Sequence, residues 1–191
     1  LDKDGTIIPD IPYNADPARI DLAPGAAEGL AALHRAGFRL VVVSNQSGVA
    51  RGYFPESALE AVTARLAVLF ARAGAELAGA YYCCHLPAAT LARYRLACGC
   101  RKPSGGLIRE AATELGIDLD GSWFIGDILD DVQAGRSCGL RTVLIDNGNE
   151  TEWLLSPERL PHHVAADLAE SARIILALAA RPAALPLEAA V

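Results

Sequence analysis

The sequence predicts a three-layer α/β/α fold built on a parallel sheet, and three observations lead there. Short apolar, β-branched runs at residues 38–43, 123–125 and 141–145 each read as a buried strand. Helical stretches alternate with them, several closed by a glycine such as Gly37, Gly74 or Gly116. Polar residues able to do chemistry follow the strand ends, where open α/β sheets bind ligands. At 191 residues the chain fits one domain, expected over residues 1–180, with an Ala/Pro-rich and loosely held tail at 181–191.

Leu1-Asp2-Lys3-Asp4-Gly5-Thr6 reads as the end of a strand that begins before Leu1. Asp2 and Asp4, two apart in extended chain, project to one side, and Gly5 allows a sharp turn. Two anions that close need a cation, or one must take a proton. A divalent ion meets the first need, and a protonated Asp4, acting as general acid, meets the second. Read alone, the stretch is equally an Asp-rich turn. Residues 7–24 are loop, punctuated by Pro9, Pro12, Pro17 and Pro24, and carry Asp10 and Tyr13.

A helix is predicted over residues 24–36, then the strand at 38–43. That strand ends in Ser44-Asn45-Gln46-Ser47-Gly48, hydroxyls and amides at a ligand-binding edge, with Arg51 near enough to supply a cation. The plainer reading makes Ser44 or Ser47 a helix cap. Further helices are predicted at 57–73, 104–115, 130–137 and 166–180, and a short strand at 80–82. Asp130 is expected to cap its helix.

The chain has five cysteines. Cys83 and His85, then Cys98 and Cys100, form a Cys-x-His pair and a Cys-x-Cys pair. Three thiolates and one imidazole make the ligand set of a closed structural Zn2+ site, here a staple across residues 83–100. Cys84 then points elsewhere, and Cys138 reads as helical core. Pro103 disfavours helix at Lys102, which puts that ammonium in a turn beside the strand ends, suited to an anion. Gly126-Asp127 brings a carboxylate to the same edge as Asp2, a candidate third metal ligand, and Asp131 can orient Lys102 by an ion pair.

These residues resemble the haloacid dehalogenase superfamily: its four motifs are matched by Asp2-Lys3-Asp4-Gly5-Thr6, by Ser44, by Lys102, and by Gly126-Asp127 with Asp131. The stretches at 44–53 and 98–103, with the zinc-loop pairs, resemble the D-glycero-D-manno-heptose 1,7-bisphosphate 7-phosphatase family. The histidinol-phosphate phosphatase domain is a close relative. The resemblance covers residues 1–148 and implies a Rossmann-like sheet without a large cap domain and a phosphomonoester hydrolase. It implies Asp2 as nucleophile, Asp4 as acid and base, and Mg2+ held by Asp2, the Asp4 carbonyl and Asp127. Ser44 and Lys102 would hold phosphoryl oxygens, and Asp10, Tyr13, Asn45, Gln46, Ser47 and Arg101 would surround the substrate, Arg101 suiting a second phosphate. Three positions depart from the pattern: Ile128 stands where a Lys is common, Leu86 replaces a second His, and Ser104-Gly105-Gly106 loosens a Pro-Gly segment.

A net charge of −6 and a pI near 5.2 argue against a broad nucleic-acid or anionic-membrane surface. With no apolar run long enough to span a bilayer and no visible signal peptide, a cytoplasmic monomer acting on a small phosphorylated molecule is expected. The alternatives are a histidinol-phosphate or other small-metabolite phosphatase, and a non-catalytic zinc-stapled binding protein.

Overall fold

The computed structural model describes residues 1–179. Strands β1 (Leu40–Asn45) and β2 (Leu77–Cys83) pair in parallel. Strands β3 (Trp123–Gly126), β4 (Arg141–Ile145) and β5 (His163–Ala165) form a second parallel set in that order. The opening residues join the two sets. The Leu1 amine donates to Val41 O and Val43 N–H donates to Leu1 O, each at 2.8 Å, while Asp2 N–H donates to Ile125 O at 2.9 Å. Leu1 and Asp2 therefore run between β1 and β3, and Asp2 emerges at the edge where Ser44 and Asp127 also emerge.

The helices are α1 (Ala26–Arg35), α2 (Ser47–Arg51), α3 (Ala58–Arg72), α4 (Gly106–Leu115), α5 (Leu129–Arg136) and α6 (Leu168–Ala179). Alternation along the strands sorts them into layers. Leu40, Val42, Ile125, Val143 and Ile145 face one side and pack with Leu30 of α1, Leu66 and Phe70 of α3 and Ile175 of α6. Val43, Cys83 and Phe124 face the other, against Leu107 and Ile108 of α4 and Ala134 of α5. Leu66 and Phe70 are fully buried, each worth about 1.5–3 kcal/mol of transfer from water.

Five local readings change. The predicted short strand at 80–82 is longer, extending back to Leu77 along β1. The polar run after β1 winds into the short helix α2. β5, with three residues and Pro161 close before it, is too brief to show a period and went unpredicted. Asp130 does not cap α5: that position is Ile128, Asp131 accepts its backbone N–H, and Asp130 pairs with Arg159 at 2.9 Å. Cys138 lies in the turn after α5, half-buried, and not within a helix. The tail expected at 181–191 lies outside the described residues. Among those described, no helix is long and apolar enough to cross a membrane.

Candidate active site

Asp2 leaves the sheet buried, and the chain turns at once through Gly5, whose φ of +77° is left-handed. Space requires glycine there as well: a Cβ at Gly5 would lie 1.9 Å from Asp127 Oδ2 and 2.4 Å from Asn149 Nδ2. The turn thereby lets the ends of the opening segment and β3 approach. Asp127 is fixed by Thr6 Oγ1, donating at 3.3 Å, and by Asn149 Nδ2, donating at 2.8 Å. Asn147 Nδ2 donates to Gly5 O at 2.7 Å, so the loop after β4 braces the same corner.

Lys102 enters from the turn after the cysteine loop. Asn45 holds its backbone from both sides, Nδ2 donating to Lys102 O and Oδ1 accepting Lys102 N–H, each at 3.0 Å. Its side chain is only 3% exposed, and its Nζ contacts Asp2 Oδ1 and lies 2.5 Å from Asp131 Oδ1. Burial opposes the ammonium charge, but Asp131 and Asp2 outweigh it and hold the group above the usual lysine range. The other Asp131 oxygen accepts the N–H groups of Asp127 and Ile128, at 3.2 and 3.3 Å.

Carboxylate oxygens of Asp2, Asp127 and Asp131 lie within 4.8 Å of one another. Burial, followed by repulsion from Asp2 and Asp131, pushes the Asp127 carboxyl up to about 8. One lysine does not neutralise three buried carboxylates, and a divalent cation between Asp2 and Asp127 would relieve the excess. The donor set therefore fits a hard cation such as Mg2+.

Asp4 faces the cavity side, its side chain 28% exposed. Gln46 Nε2 donates both to Asp4 Oδ2 and to Ser44 Oγ, each at 2.9 Å. Burial pushes the Asp4 carboxyl up, while Lys3 counters the shift. A cavity of about 280 Å3 opens here, lined by Asp4, Asp10, Tyr13, Asn45, Gln46 and Ser47 among others. At its rim Tyr13, with φ of +56°, meets the Tyr53 ring edge-on at 4.7 Å, and the Arg51 guanidinium sits 5.7 Å over Tyr13. A larger apolar cavity of about 340 Å3, lined by Phe38, Val41 and Trp123 among others, carries none of these groups.

Cys83, His85, Cys98 and Cys100 converge. The sulfurs lie 3.0–3.6 Å apart, and His85 Nδ1 is 3.3 Å from Cys100 Sγ. Zinc–sulfur bonds of about 2.3 Å in a tetrahedron space sulfurs by about 3.8 Å, so the set is slightly tighter than a zinc site would be. Cys84 points away, buried with Val49, Leu59 and Tyr94.

A family model described as "HAD-hyrolase-like" matches residues 99–171. The chain is 40% identical over 149 residues to the D-glycero-beta-D-manno-heptose-1,7-bisphosphate 7-phosphatase of Photorhabdus laumondii, covering 78% of this chain and 79% of that one. The enzyme of that name from Escherichia coli K12 is 36% identical over 165 residues, 82% of this chain and 86% of its own. The chain belongs to this phosphatase family of the haloacid dehalogenase superfamily. Its fold agrees with solved structures. The D,D-heptose 1.7-bisphosphate phosphatase of B. bronchiseptica, complexed with magnesium and phosphate, superposes with a TM-score of 0.74 at 28% identity, covering 93% of this chain and 96% of that one. A putative HAD-like phosphatase from Mesorhizobium loti gives 0.78 at 36%, covering 93% and 83%.

Of the residues singled out from sequence, Asp2, Lys102, Asp127 and Asp131 meet in one cluster, and Asp4, Ser44 and Gln46 adjoin it. Asp10, Tyr13, Asn45 and Ser47 line the cavity. Arg101 is not among its lining residues, and its guanidinium lies 3.4 Å from His85 O, on the cysteine loop. Lys3, Thr6, Asn147 and Asn149 were missed. The polar run Asp146-Asn147-Gly148-Asn149 at the end of β4 was the available signal for the asparagines in a phosphatase of this family.

Proposed function

We propose that this protein removes the 7-phosphate from D-glycero-β-D-manno-heptose 1,7-bisphosphate, with Asp2 as nucleophile. The observation that carries the reading is the bridge of Lys102 between Asp2 and Asp131, with Asp127 adjoining and a polar cavity alongside. The curated relatives bear the name of this activity, and the neighbour solved with magnesium and phosphate supports the same chemistry.

A carboxylate of Asp2 attacks phosphorus and the bond from phosphorus to the sugar oxygen breaks, leaving the phosphoryl group esterified to Asp2. Asp4 gives its proton to the departing oxygen, then takes one from the water that attacks phosphorus and frees Asp2. Ser44 Oγ, accepting from Gln46, keeps its own hydroxyl proton free for a phosphoryl oxygen. Lys102 faces the same charge. Mg2+, held by Asp2, Asp127 and the Asp4 carbonyl, would supply further charge neutralisation. Asp10, Tyr13 and Ser47 line the space for the sugar, and Arg51, stacked over Tyr13 at the rim, is a cation available to the second phosphate. Cys83, His85, Cys98 and Cys100 would hold Zn2+ as a staple, with no position left open for chemistry.

Phosphate release from heptose bisphosphate and from histidinol phosphate, with Mg2+ present, tests this. The bisphosphate should be preferred, and Asp2→Asn should be silent. A large preference for histidinol phosphate overturns the substrate assignment, and an active Asp2→Asn protein overturns the nucleophile.

A further inference from the structure

Lys3 stands outside every role above. Its side chain is completely buried, and its Nζ lies 2.6 Å from Asp4 Oδ1. Removing an ammonium from water costs several kcal/mol unless a partner offsets it. Asp4 is the hydrogen-bond partner of that Nζ among the described residues. The fold alone does not call for a charge here, since Ile7 and Ile8, whose N–H groups bond Lys3 O, belong to the apolar core. A lysine stem ending in Asp4 makes sense if the ammonium serves Asp4.

Asp4 is gripped twice. Lys3 takes Oδ1, and Gln46 takes Oδ2 at 2.9 Å. A lone carboxylate rotates about two side-chain bonds, whereas donors on both oxygens fix one rotamer, and a charged donor is roughly twice as strong as a neutral one. We propose that Lys3 is a positioning residue for the phosphatase reaction: its buried ammonium holds Asp4 in the rotamer from which it protonates the departing oxygen. The inference rests on the reading of Asp4 as general acid given above.

The leaving group separates this role from a structural one. An alkyl phosphate expels an alkoxide that needs a proton, whereas p-nitrophenyl phosphate expels a stable phenolate that does not. The parameter kcat/KM includes the step in which the leaving group departs. Lys3→Met should lower it at least about tenfold on an alkyl phosphate, a share of the about 10²- to 10⁴-fold that a positioned acid supplies, and under about threefold on p-nitrophenyl phosphate. Lys3→Arg, which keeps the charge, should restore most of the alkyl activity.

Circular dichroism checks folding of each variant, and if Lys3→Met does not fold, Lys3→Gln carries the same comparison. Equal losses on both substrates, or no loss on the alkyl phosphate, in a folded variant overturn the proposal. Failure of the underlying reading looks different: Asp4→Asn would then lose no more activity on the alkyl phosphate than on p-nitrophenyl phosphate.

Discussion

Replacing Lys102 with methionine tests the electrostatic core of the site. The lysine is 3% exposed and its two partners, Asp2 and Asp131, are 9% and 1% exposed. Methionine fills similar space but leaves Asp2, Asp127 and Asp131 with no facing ammonium. Removing one member of a buried ion pair typically costs about 3–5 kcal/mol. In a domain of this size about 1 kcal/mol moves Tm by roughly 2–4 °C, so a fall of roughly 6–20 °C is expected. Activity should fall more than stability explains if, as proposed, the lost charge also faces the phosphoryl oxygens; about 10²- to 10³-fold in kcat is the usual cost of one such donor. Thermal unfolding followed by circular dichroism reads the first effect, and phosphate release well below Tm reads the second. The double variant Lys102→Met/Asp131→Asn removes one of the stranded carboxylates, so it should recover stability without recovering turnover. An unchanged Tm in the single variant, or a double variant no more stable than the single one, would refute the reasoning.

Three further outcomes follow from other parts of the fold. Gly5→Ala forces a side chain into left-handed backbone, at a cost of roughly 1–2 kcal/mol. It also drives a Cβ to within 1.9 Å of Asp127 Oδ2, so Mg2+ titration of activity should show weakened affinity, and an unchanged titration would contradict the packing. Chelating the Cys83–His85–Cys98–Cys100 cluster should lower Tm and activity together, because Lys102 follows Cys100 by two residues and Gly106 N–H bonds Gly99 O at 2.9 Å. Loss of zinc, verified by metal analysis, with both properties intact would count against a staple. His162 Nδ1 accepts Thr142 N–H at 3.0 Å, and burial, then Arg136, His163 and Arg141, lower its pKa. The unfolded chain then binds a proton that the folded one refuses, so this contribution to stability is whole above an ordinary histidine pKa of about 6.5 and fades as pH falls through it toward the lowered folded value. His162→Asn should flatten the drop in Tm between about pH 7 and pH 5, and an unaltered slope would assign that drop to other groups.

What could be read from the chain follows from the range over which each signal acts. Strands β1, β3 and β4 carry continuous apolar runs because both their faces are covered, and that pattern is local. The Cys-x-His and Cys-x-Cys pairs announce themselves because spacing in a loop is local too, and the structure brings their ligand atoms together. Asp131 was readable as a partner of Lys102 because it lies one helical turn past Asp127, at the same sheet edge. Arg101, placed at the substrate by resemblance, has its guanidinium 3.4 Å from His85 O in the cysteine loop, a position its neighbour Lys102 does not signal.

Lys3 shows the reverse. A lysine flanked by two aspartates in sequence looks like solvated charge, since lysine is rarely buried without a partner. Its neighbour Asp4 is that partner, but sequence does not reveal that the opening segment runs between β1 and β3 with covered faces on both sides. Only that placement turns an ordinary polar tetrad into a buried ammonium aimed at one carboxylate. The same placement explains Asn45. It reads as a ligand because it follows β1, and it lines the cavity, but both ends of its amide are taken by the backbone of Lys102. Its hold on the site therefore runs through the lysine: a residue 57 positions away in sequence is held against Asp2 by two hydrogen bonds that neither segment could signal alone.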